Sequence, residues 1–322
     1  MRKAFQQLLR TLLRNPDSTF IDYSEMASLK EVKNRINSVK STRQITSAMK
    51  MVASAKLHKA QGRIESMYPY QQKLNEILTN FLGTDVTVTS PYTEVRPVTK
   101  VAIVTFSSNS SLCGAFNSNV AKMLEHTLEE YSPLGKENIL LYPVGRKVEE
   151  AVKKLGYTPQ GSFQSLADKP AYTEAYQLAE LLMDLYAQKS IDRVVLIYHH
   201  FKSMGSQVLQ KEDYLPLNLE QMAMEVAMHP DKKDMATYNN DYIVEPSVNE
   251  LIAELLPKVL CQKIFTVLQD SNASEHAARM LAMQAATDNA NELIQDLTLQ
   301  YNKTRQQAIT NELLDIIGGS LR

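Results

Sequence analysis

The chain has 322 residues, which is enough for two domains or for one domain with an extended element. Its 35 Lys and Arg against 36 Asp and Glu give a net charge of −1, which excludes an overall case for nucleic-acid binding. Two distant cysteines, Cys113 and Cys261, argue against a disulfide framework or a thiolate zinc site and favour reduced thiols in an intracellular protein. No run approaches the roughly 18 apolar residues of a membrane span.

Residues 1–25 differ from the rest of the chain. They are basic and amphipathic, break at Pro16 and lack the apolar core of a secretory signal. A transit peptide is an open alternative, against which three acidic residues argue mildly, and an upstream start codon is the simpler explanation. Met26 is followed by Ser28 and Glu31, which have the S-x-x-E spacing of a capping box. We therefore expect a dispensable extension, disordered or translated from an upstream start, and then a helix that begins at Ser28.

A long helix is predicted over residues 26–82. Its apolar residues recur at threes and fours, the spacing of one helix face: Leu29, Val32, Ile36, Val39, Ile45, Met49 and Val52. Some fifty residues at 1.5 Å each extend roughly 75 Å, so the helix must leave its own domain or pair with an equally long element. Between Lys30 and Arg63 there are nine Lys or Arg and a single acid, Glu31. This charge indicates either a solvated face or an acidic protein partner.

Strands alternate with helices over residues 83–217, after a linker over 83–100. This alternation predicts a small, largely parallel sheet covered by helices, with the last segment as an edge strand. The predicted strands are 101–107, 138–145, 192–201 and 206–217, and the predicted helices are 117–131, 146–156 and 172–189. The first of these helices is expected to be capped by Asn117 or Asn119.

Residues 218–246 are acidic and rich in methionine, which indicates gap-filling core or, alternatively, an adaptable contact surface. A second capping box, Ser247 and Glu250, opens a helix predicted over 247–319. Pro257 is expected to kink its first turns or to shift its start. Two terminal helices of similar excess length most simply pair with each other as a long antiparallel coiled coil.

The sequence has no catalytic signature. "SSNSSLCGAFNSN" (107–119) follows the first strand, where α/β folds often bind phosphates, but it has one glycine and neither G-x-G-x-x-G nor a P-loop lysine. Cys113 lacks a basic neighbour and is interpreted as a buried turn cysteine. His199 and His200 lie on opposite faces of a strand, a poor geometry for joint metal binding. We predict no catalytic residue, no cofactor and no metal.

The two ends of the chain resemble the gamma subunits of F-type ATP synthases. The similarity is carried by "SLKEVKNRINSVKSTRQITSAMKMVASAKLHKAQ" and "SEHAARMLAMQAATDNANELIQDLTLQYNKTRQQAITNELLDIIGG", and runs from Met26 to Gly319. "SLCGAFN" is similar to the family's "GLCGAFN", and "DYIVEPS" to its foot motif. The resemblance implies an antiparallel coiled coil of the terminal helices with a central Rossmann-like domain over 83–217, and a foot over 218–246.

The resemblance also implies a non-catalytic role. Family members form a central stalk inside three α and three β subunits, carry the epsilon subunit and stand on the ring of c subunits. Proton or sodium-ion flow turns this stalk and couples transport to ATP synthesis or hydrolysis. Membrane contact is expected only through the c ring, at the cytoplasmic face of a bacterial inner membrane, with a mitochondrial origin as the alternative. The rival interpretations are a coiled-coil scaffold protein and an α/β enzyme.

Matching motifs imply contacts with the α/β ring at both helices. Met49 matches a position near an acidic loop of a β subunit, and Lys50 suits that partner. At the other end, Arg279, Arg305, Gln306 and Thr310 resemble the catch that hydrogen-bonds the catalytic ring. For Met49 and Thr310 a plain helix-interface role stays open. For Arg279 and Arg305 the contact is favoured, since a charged residue on a thin shaft has nothing else to bury it.

Tyr242 and Glu245, in "DYIVEP", resemble foot positions that face the c ring. Three features depart from the family pattern: the extension over residues 1–25, the loss of the charged residues that usually precede the "LCGAFN" turn, and the absence of an inserted cysteine pair. Thiol control is therefore not expected, and a role for that turn is doubtful.

Overall fold

The computed structural model describes residues 23–82, 90–218, 244–245 and 247–320. The methionine-rich stretch Met222, Met224, Met228 and Met235, Tyr242 and residues 1–22 lie outside these ranges. The chain divides into two compact units: a central unit, residues 47–285, and a terminal unit made of the chain up to Thr46 and from Ala286 onward. No described helix is long and apolar enough to cross a membrane.

Two long helices form the ends of the described chain. α1 spans Tyr23–Leu82 and α6 spans Val248–Ser320. The capping box predicted at Ser28 is wrong, because the helix already includes Tyr23–Ala27, where neither proline nor glycine interrupts it. The box at Ser247 is confirmed, since the Glu250 N–H donates to Ser247 Oγ at 3.3 Å. Pro257 lies inside α6 and does not shift its start.

The elements between the long helices alternate as predicted. In chain order they are β1 (Val101–Phe106), α2 (Phe116–Glu130), β2 (Ile139–Val144), α3 (Arg146–Lys154), α4 (Gln164–Asp168), α5 (Tyr172–Ala187), β3 (Arg193–Ser203) and β4 (Ser206–Leu215). The short α4 was not predicted, because five residues are too few to show a helical period.

The four strands form one sheet in the order β2-β1-β3-β4. β1 pairs in parallel with both β2 and β3, and β4 pairs antiparallel with β3 at the edge. All six residues of β1 are buried, which explains why its sequence is a continuous apolar run and does not alternate. The largely parallel sheet with β4 as edge strand is confirmed.

Each face of the sheet is covered by helices. Leu196 and Tyr198 of β3 point to a core shared with α5 and α6, and the neighbouring Val195 and Ile197 point to a core shared with α2 and α3. On the first face, α6 contributes buried side chains at Leu260, Cys261, Ile264, Val267 and Leu268. α6 is therefore a layer of the α/β core as well as a partner of α1.

Within the central unit, α1 and α6 pair antiparallel. Leu57 and Ala60 of α1 pack on Ala273 and Ala277 of α6. Further along α1 the contacts move toward the start of α6, where Leu74 and Leu78 meet Ile252, Leu256 and Val259. Alanines at the first of these contacts let the two backbones approach closely.

The terminal unit has the same antiparallel pairing. Val32 and Ile36 pack on Leu297 in a small apolar cluster. The hydroxyls of Thr46 and Thr287 are 2.8 Å apart, and Arg43 Nη1 donates to Asn291 Oδ1 at 3.3 Å. The predicted pairing of the terminal helices is confirmed.

Candidate partner-binding surfaces

At the carboxyl end of the parallel sheet, the loop that follows β1 is bonded to the loop that follows β2. The Ser107 N–H donates to Val144 O at 2.8 Å, and Ser107 Oγ accepts from the Val148 N–H at 3.0 Å. Gly145 has φ +102°, and a Cβ added there would lie 2.3 Å from Ser107 O. The backbones of these two loops therefore approach each other too closely for any side chain at residue 145.

The side chain of Asn117 makes hydrogen bonds across the turn that precedes α2. Asn117 Oδ1 accepts from the Ser108 N–H at 3.1 Å, and Asn117 Nδ2 donates to Ser108 Oγ at 2.8 Å and to Cys113 Sγ at 3.1 Å. The predicted capping role of Asn117 or Asn119 is wrong: α2 starts at Phe116 and has no side-chain cap. The amide of Asn117 bonds across the turn instead, and Cys113 is buried beneath it.

Arg279 is buried against this turn and is not presented to solvent. Only 8% of it is exposed. Its Nη2 lies 2.8 Å from Glu275 Oε1 and 3.4 Å from Ser110 O, and its Nη1 donates to Ser111 O. The premise of the predicted partner contact is therefore wrong for this residue, because Glu275 of α6 and the turn before α2 already supply its hydrogen-bond acceptors. A contact of Arg279 with another subunit stays a prediction.

Several titratable groups are buried beside Arg279. Burial raises the pKa of the Glu275 carboxyl, and the adjacent Arg279 guanidinium partly offsets this increase. Burial, with Lys56 and Arg279 nearby, lowers the pKa of His276 to about 4. His199 stacks on the Phe116 ring with 4.4 Å between centroids, and burial lowers its pKa to about 4. Both imidazoles are therefore neutral at pH 7.

The two neighbouring histidines of β3 face different surroundings, as the alternation of a strand predicts. His199 lies in the core beside Phe116, whereas His200 Nδ1 lies 2.7 Å from Asp270 Oδ2. The hydrogen bond with Asp270 raises the pKa of His200. Among the described residues, no group of three or more His, Cys, Asp or Glu is placed to hold a metal ion.

Replacing His199 with phenylalanine is expected to flatten the acid dependence of stability. The unfolded imidazole has a pKa near 6.5 and the folded one about 4, so the unfolded state binds more protons between these values. Stability supplied by neutral His199 is present above pH 6.5 and is lost as the pH falls toward 4. We expect urea unfolding at several pH values between 4 and 6.5 to give the free energy of unfolding as a function of pH. His199→Phe should reduce the slope of this dependence by about 1.4 kcal/mol per pH unit, which corresponds to one proton.

The matched control is His126→Gln on α2, where the imidazole is largely exposed. The difference between the two variants gives the part of the effect that comes from burial of the imidazole. Equal slopes in His199→Phe and the unmodified protein would contradict the assignment. His200 acts in the opposite direction, since its raised pKa stabilises the fold at low pH and this contribution is lost as the pH rises through the folded-state value.

The α1 residues implied in partner binding are partly accessible. Met49 and Lys50 are half-buried, and the adjacent Met51 and Val52 are well exposed. The structure thus leaves an apolar and basic stretch of α1 accessible in the central unit, and the partner contacts of Met49 and Lys50 stay a prediction.

The end of α6 presents Arg305, Gln306 and Thr310 to solvent. Thr310 Oγ1 donates to Gln306 O at 2.9 Å, so this hydroxyl can act only as an acceptor toward a partner. Sequence reasoning missed the apolar side chains beside them. These apolar residues are each about half exposed or more: Ile309, Leu313, Ile316 and Ile317. Their spacing of i, i+4, i+7 and i+8 places them on one helix face, and this spacing could have identified them from the sequence.

Charge is distributed unevenly over the terminal unit. Its α1 segment exposes the cations Lys30, Lys33, Arg35 and Lys40. Its α6 segment exposes the acids Asp288, Glu292 and Asp296, which recur every four residues along one face. As far as Asp296, the two sides of this helix pair therefore offer opposite charge to any surrounding protein. Beyond it, α6 also exposes the cations Lys303 and Arg305.

The foot residues are described only in part. Glu245 is exposed just before α6 begins, whereas Tyr242 lies outside the described residues. The predicted contact of these two residues with the c ring therefore stays a prediction.

A family model described as ATP synthase matches residues 28–321. The ATP synthase gamma chain of Bacteroides fragilis is 69% identical over 296 residues, which cover 92% of this chain and all of that protein. The gamma chain of Bacteroides thetaiotaomicron is 65% identical over 298 residues, with the same coverage. Among solved structures, a chain of the Euglena gracilis mitochondrial ATP synthase (OSCP/F1/c-ring) superposes with a TM-score of 0.61 at 20% identity, over 92% of this chain and 94% of that one.

Proposed function

This chain belongs to the family of ATP synthase gamma chains, and we propose that it is the gamma subunit, or central stalk, of an F-type ATP synthase. The observation that carries the proposal is the 69% identity over the full length of a bacterial gamma chain. The antiparallel pairing of the terminal helices supports it, because a stalk needs a stiff element that one ring of subunits can surround.

The proposed subunit makes and breaks no bonds. It turns within three α and three β subunits, driven by protons or sodium ions that pass the c ring, and it carries the epsilon subunit. Its effect on the β subunits is a coupling free energy: each rotational position favours a different nucleotide affinity at a distant site.

The asymmetric charge distribution of the terminal unit supplies a physical basis for this coupling. A ring that surrounds the helix pair meets cations such as Lys33 and Lys40 on one side and acids such as Glu292 and Asp296 on the other. An identical loop on each β subunit would thus experience a different electrostatic potential at each position. Rotation by one third of a turn exchanges these potentials among the three β subunits.

The exposed end of α6 offers apolar side chains and polar groups to the subunits that would surround it. Apolar side chains such as Leu313 and Ile316 gain by leaving water inside a surrounding ring. Arg305 can make charge-assisted hydrogen bonds that a lysine would not reproduce. The Thr310 hydroxyl, whose proton is already donated to Gln306 O, would act there as an acceptor.

On α1, Met49 and Lys50 would meet an acidic loop of a β subunit, and Glu245 and Tyr242 would face the c ring. Arg279, which is internally bonded, would act by holding the turn before α2 against α6. The complex would lie at the cytoplasmic face of a bacterial inner membrane, because the relatives with the highest identity reported above are bacterial. A mitochondrial inner membrane is the alternative location.

Substituting Arg305 with alanine tests the proposal. Loss of one charge-assisted hydrogen bond of about 1.5 kcal/mol should lower ATP-driven ion pumping by the reconstituted complex by about tenfold. Stability of the chain should change by less than about 0.5 kcal/mol, because the side chain is exposed. Lys303→Ala is the matched control, an exposed cation two residues earlier on the same helix.

The scaffold hypothesis makes the opposite prediction. A plain coiled-coil protein would show no effect of Arg305→Ala on any partner's activity, whatever the change in thermal stability. Normal pumping by the Arg305 variant, in a complex with its full set of subunits, would therefore refute the proposed contact.

A further inference from the structure

Residues 267–277 of α6 are buried without exception, although a helix at the surface of a domain normally exposes one face. They make about three helical turns. No other described stretch of α6 of this length is buried throughout. We call residues 267–277 the enclosed segment, because the other elements of the central unit cover it on every side.

The enclosed segment is polar in spite of its burial. Its sequence is "VLQDSNASEHA", in which seven of the eleven side chains are polar or charged. A buried polar group loses its hydrogen bonds to water and must find partners in the protein to offset that loss. Apolar side chains would fill the same space without this requirement, so the bonds that the polar side chains make need an explanation of their own.

One face of the enclosed segment is bonded to β3. Asp270 and Ser274 are four residues apart and therefore lie on the same face of the helix. His200 Nδ1 lies 2.7 Å from Asp270 Oδ2, and Ser274 Oγ donates to His199 O at 3.2 Å. Two consecutive residues of β3 thus hold this face at two points.

The opposite face is bonded to other parts of the α/β domain. Asn272 is two residues from both Asp270 and Ser274, which is a rotation of about 200° at 3.6 residues per turn. Its Nδ2 donates to Ala167 O of α4 at 3.0 Å. Arg279, seven residues further along and so on the same side as Asn272, bonds to the turn before α2. The helix is therefore held from two nearly opposite directions.

The contact with α1 lies on a third side and is apolar. Ala273 and Ala277 pack there on Leu57 and Ala60. Alanines form low ridges, so this contact brings the two helices close together but interlocks little. It fixes the distance between α1 and α6, whereas the polar bonds on the other two sides fix the angle of α6 about its own axis.

Bonds on opposite sides of a helix resist its rotation as a couple. Side chains reach about 5–6 Å from the helix axis, so a rotation of about 20° moves each bonded atom by about 2 Å, in opposite directions on the two sides. A displacement of that size breaks a hydrogen bond, whose donor and acceptor must stay within about 2.7–3.2 Å. A small rotation of α6 within the α/β domain therefore costs the bonds on both faces.

We propose that the enclosed segment fixes the angular position of α6 in the α/β domain, and that Asp270, Asn272 and Ser274 are positioning residues through which torque passes between this domain and the long helix. The restraint keeps the two turning together when a load resists rotation. The proposal rests on the proposed function, because the chain carries torque only as a rotating subunit.

Rotation of single assembled complexes tests the proposal. The complex of this chain with α and β subunits is fixed to a surface through its ring of α and β subunits. A gold rod is attached to the α/β domain through Glu129→Cys, an exposed position of α2, since the native Cys113 and Cys261 are buried. The angular variance of the rod during the pauses between steps measures the torsional compliance between the ring and this domain.

The informative variant combines Asp270→Ala with Asn272→Ala. It removes one bond from each face of the enclosed segment and leaves the Ser274 bond and the apolar packing. Since two of three polar bonds of similar strength are lost, the angular variance of the rod should rise about twofold. If this double variant does not assemble, Ser274→Ala gives the same test with a smaller increase, because it removes a single bond to a backbone carbonyl.

Two controls separate an angular restraint from a general loss of stability. Asp270→Asn keeps an oxygen that can accept from His200, so the variance should stay at the value of the unmodified chain. Ile103→Val trims a buried side chain of β1 in the core on the α2 side of the sheet, away from α6. It should lower the thermal stability and leave the variance unchanged.

Three results would overturn the proposal. Equal variances for the double variant and the unmodified chain, in assembled complexes, would refute the angular restraint and leave the proposed function intact. An increase with Ile103→Val as large as that of the double variant would show that general loosening, and not the polar bonds, sets the angle. Failure of the unmodified chain to assemble with α and β subunits would refute the proposed function and the restraint together.

Discussion

Replacing Arg279 with alanine is expected to lower the free energy of unfolding by about 3–5 kcal/mol, the usual cost of breaking a buried ion pair by removing one partner. The substitution leaves the Glu275 carboxylate 7% exposed without its cation and removes the donor to the carbonyl of Ser111. Urea denaturation of the full chain, with the midpoint and slope compared, measures the loss.

Two variants define the origin of this effect. Arg305→Ala removes an exposed arginine from the same helix and should change stability by less than about 0.5 kcal/mol. The double substitution Arg279→Met with Glu275→Leu should recover part of the loss, because it no longer leaves a buried charge unpaired. Equal stabilities of the Arg279 and Arg305 variants would show that the buried pair does not hold the turn.

Gly145→Ala is expected to cost about 3 kcal/mol or more. A residue with a side chain at φ +102° is strained by about 1–3 kcal/mol. The new Cβ would also lie 2.3 Å from Ser107 O, a backbone atom that moves only if β1 and the following turn move with it. Overpacking of this kind typically adds about 1–3 kcal/mol. Thermal unfolding should therefore show a clear drop in Tm.

Gly62→Ala provides a control of opposite sign. Gly62 lies within α1, and a Cβ added there meets no atom within 4 Å. Alanine should stabilise the helix by up to about 1 kcal/mol. A Gly145→Ala protein as stable as the unmodified chain would mean that the two loops do not meet as closely as the structure places them.

The sequence predicted the elements well wherever a pattern extended over many residues. The threes-and-fours spacing of α1 and the apolar run of β1 depend on burial, which the order of residue types reflects directly. Helix starts were less predictable. The Ser28 and Glu31 pair has the right spacing for a cap, but nothing in the five preceding residues ends the helix.

The environments of the site residues could be predicted only in part. Exposure of Arg305 and Thr310 follows from their place near the end of α6. Burial of Arg279 depends on a turn 168 residues earlier in the chain, and no local pattern reports that contact.

The open apolar end of α6 has a practical consequence for handling the protein. The last turns of α6 expose an apolar patch made of Ile309, Leu313, Ile316 and Ile317, and such patches promote self-association. Recombinant preparations made without companion subunits will need low concentration or mild detergent to remain monodisperse. Under the proposed function, co-expression with the α and β subunits should cover this patch and remove that requirement.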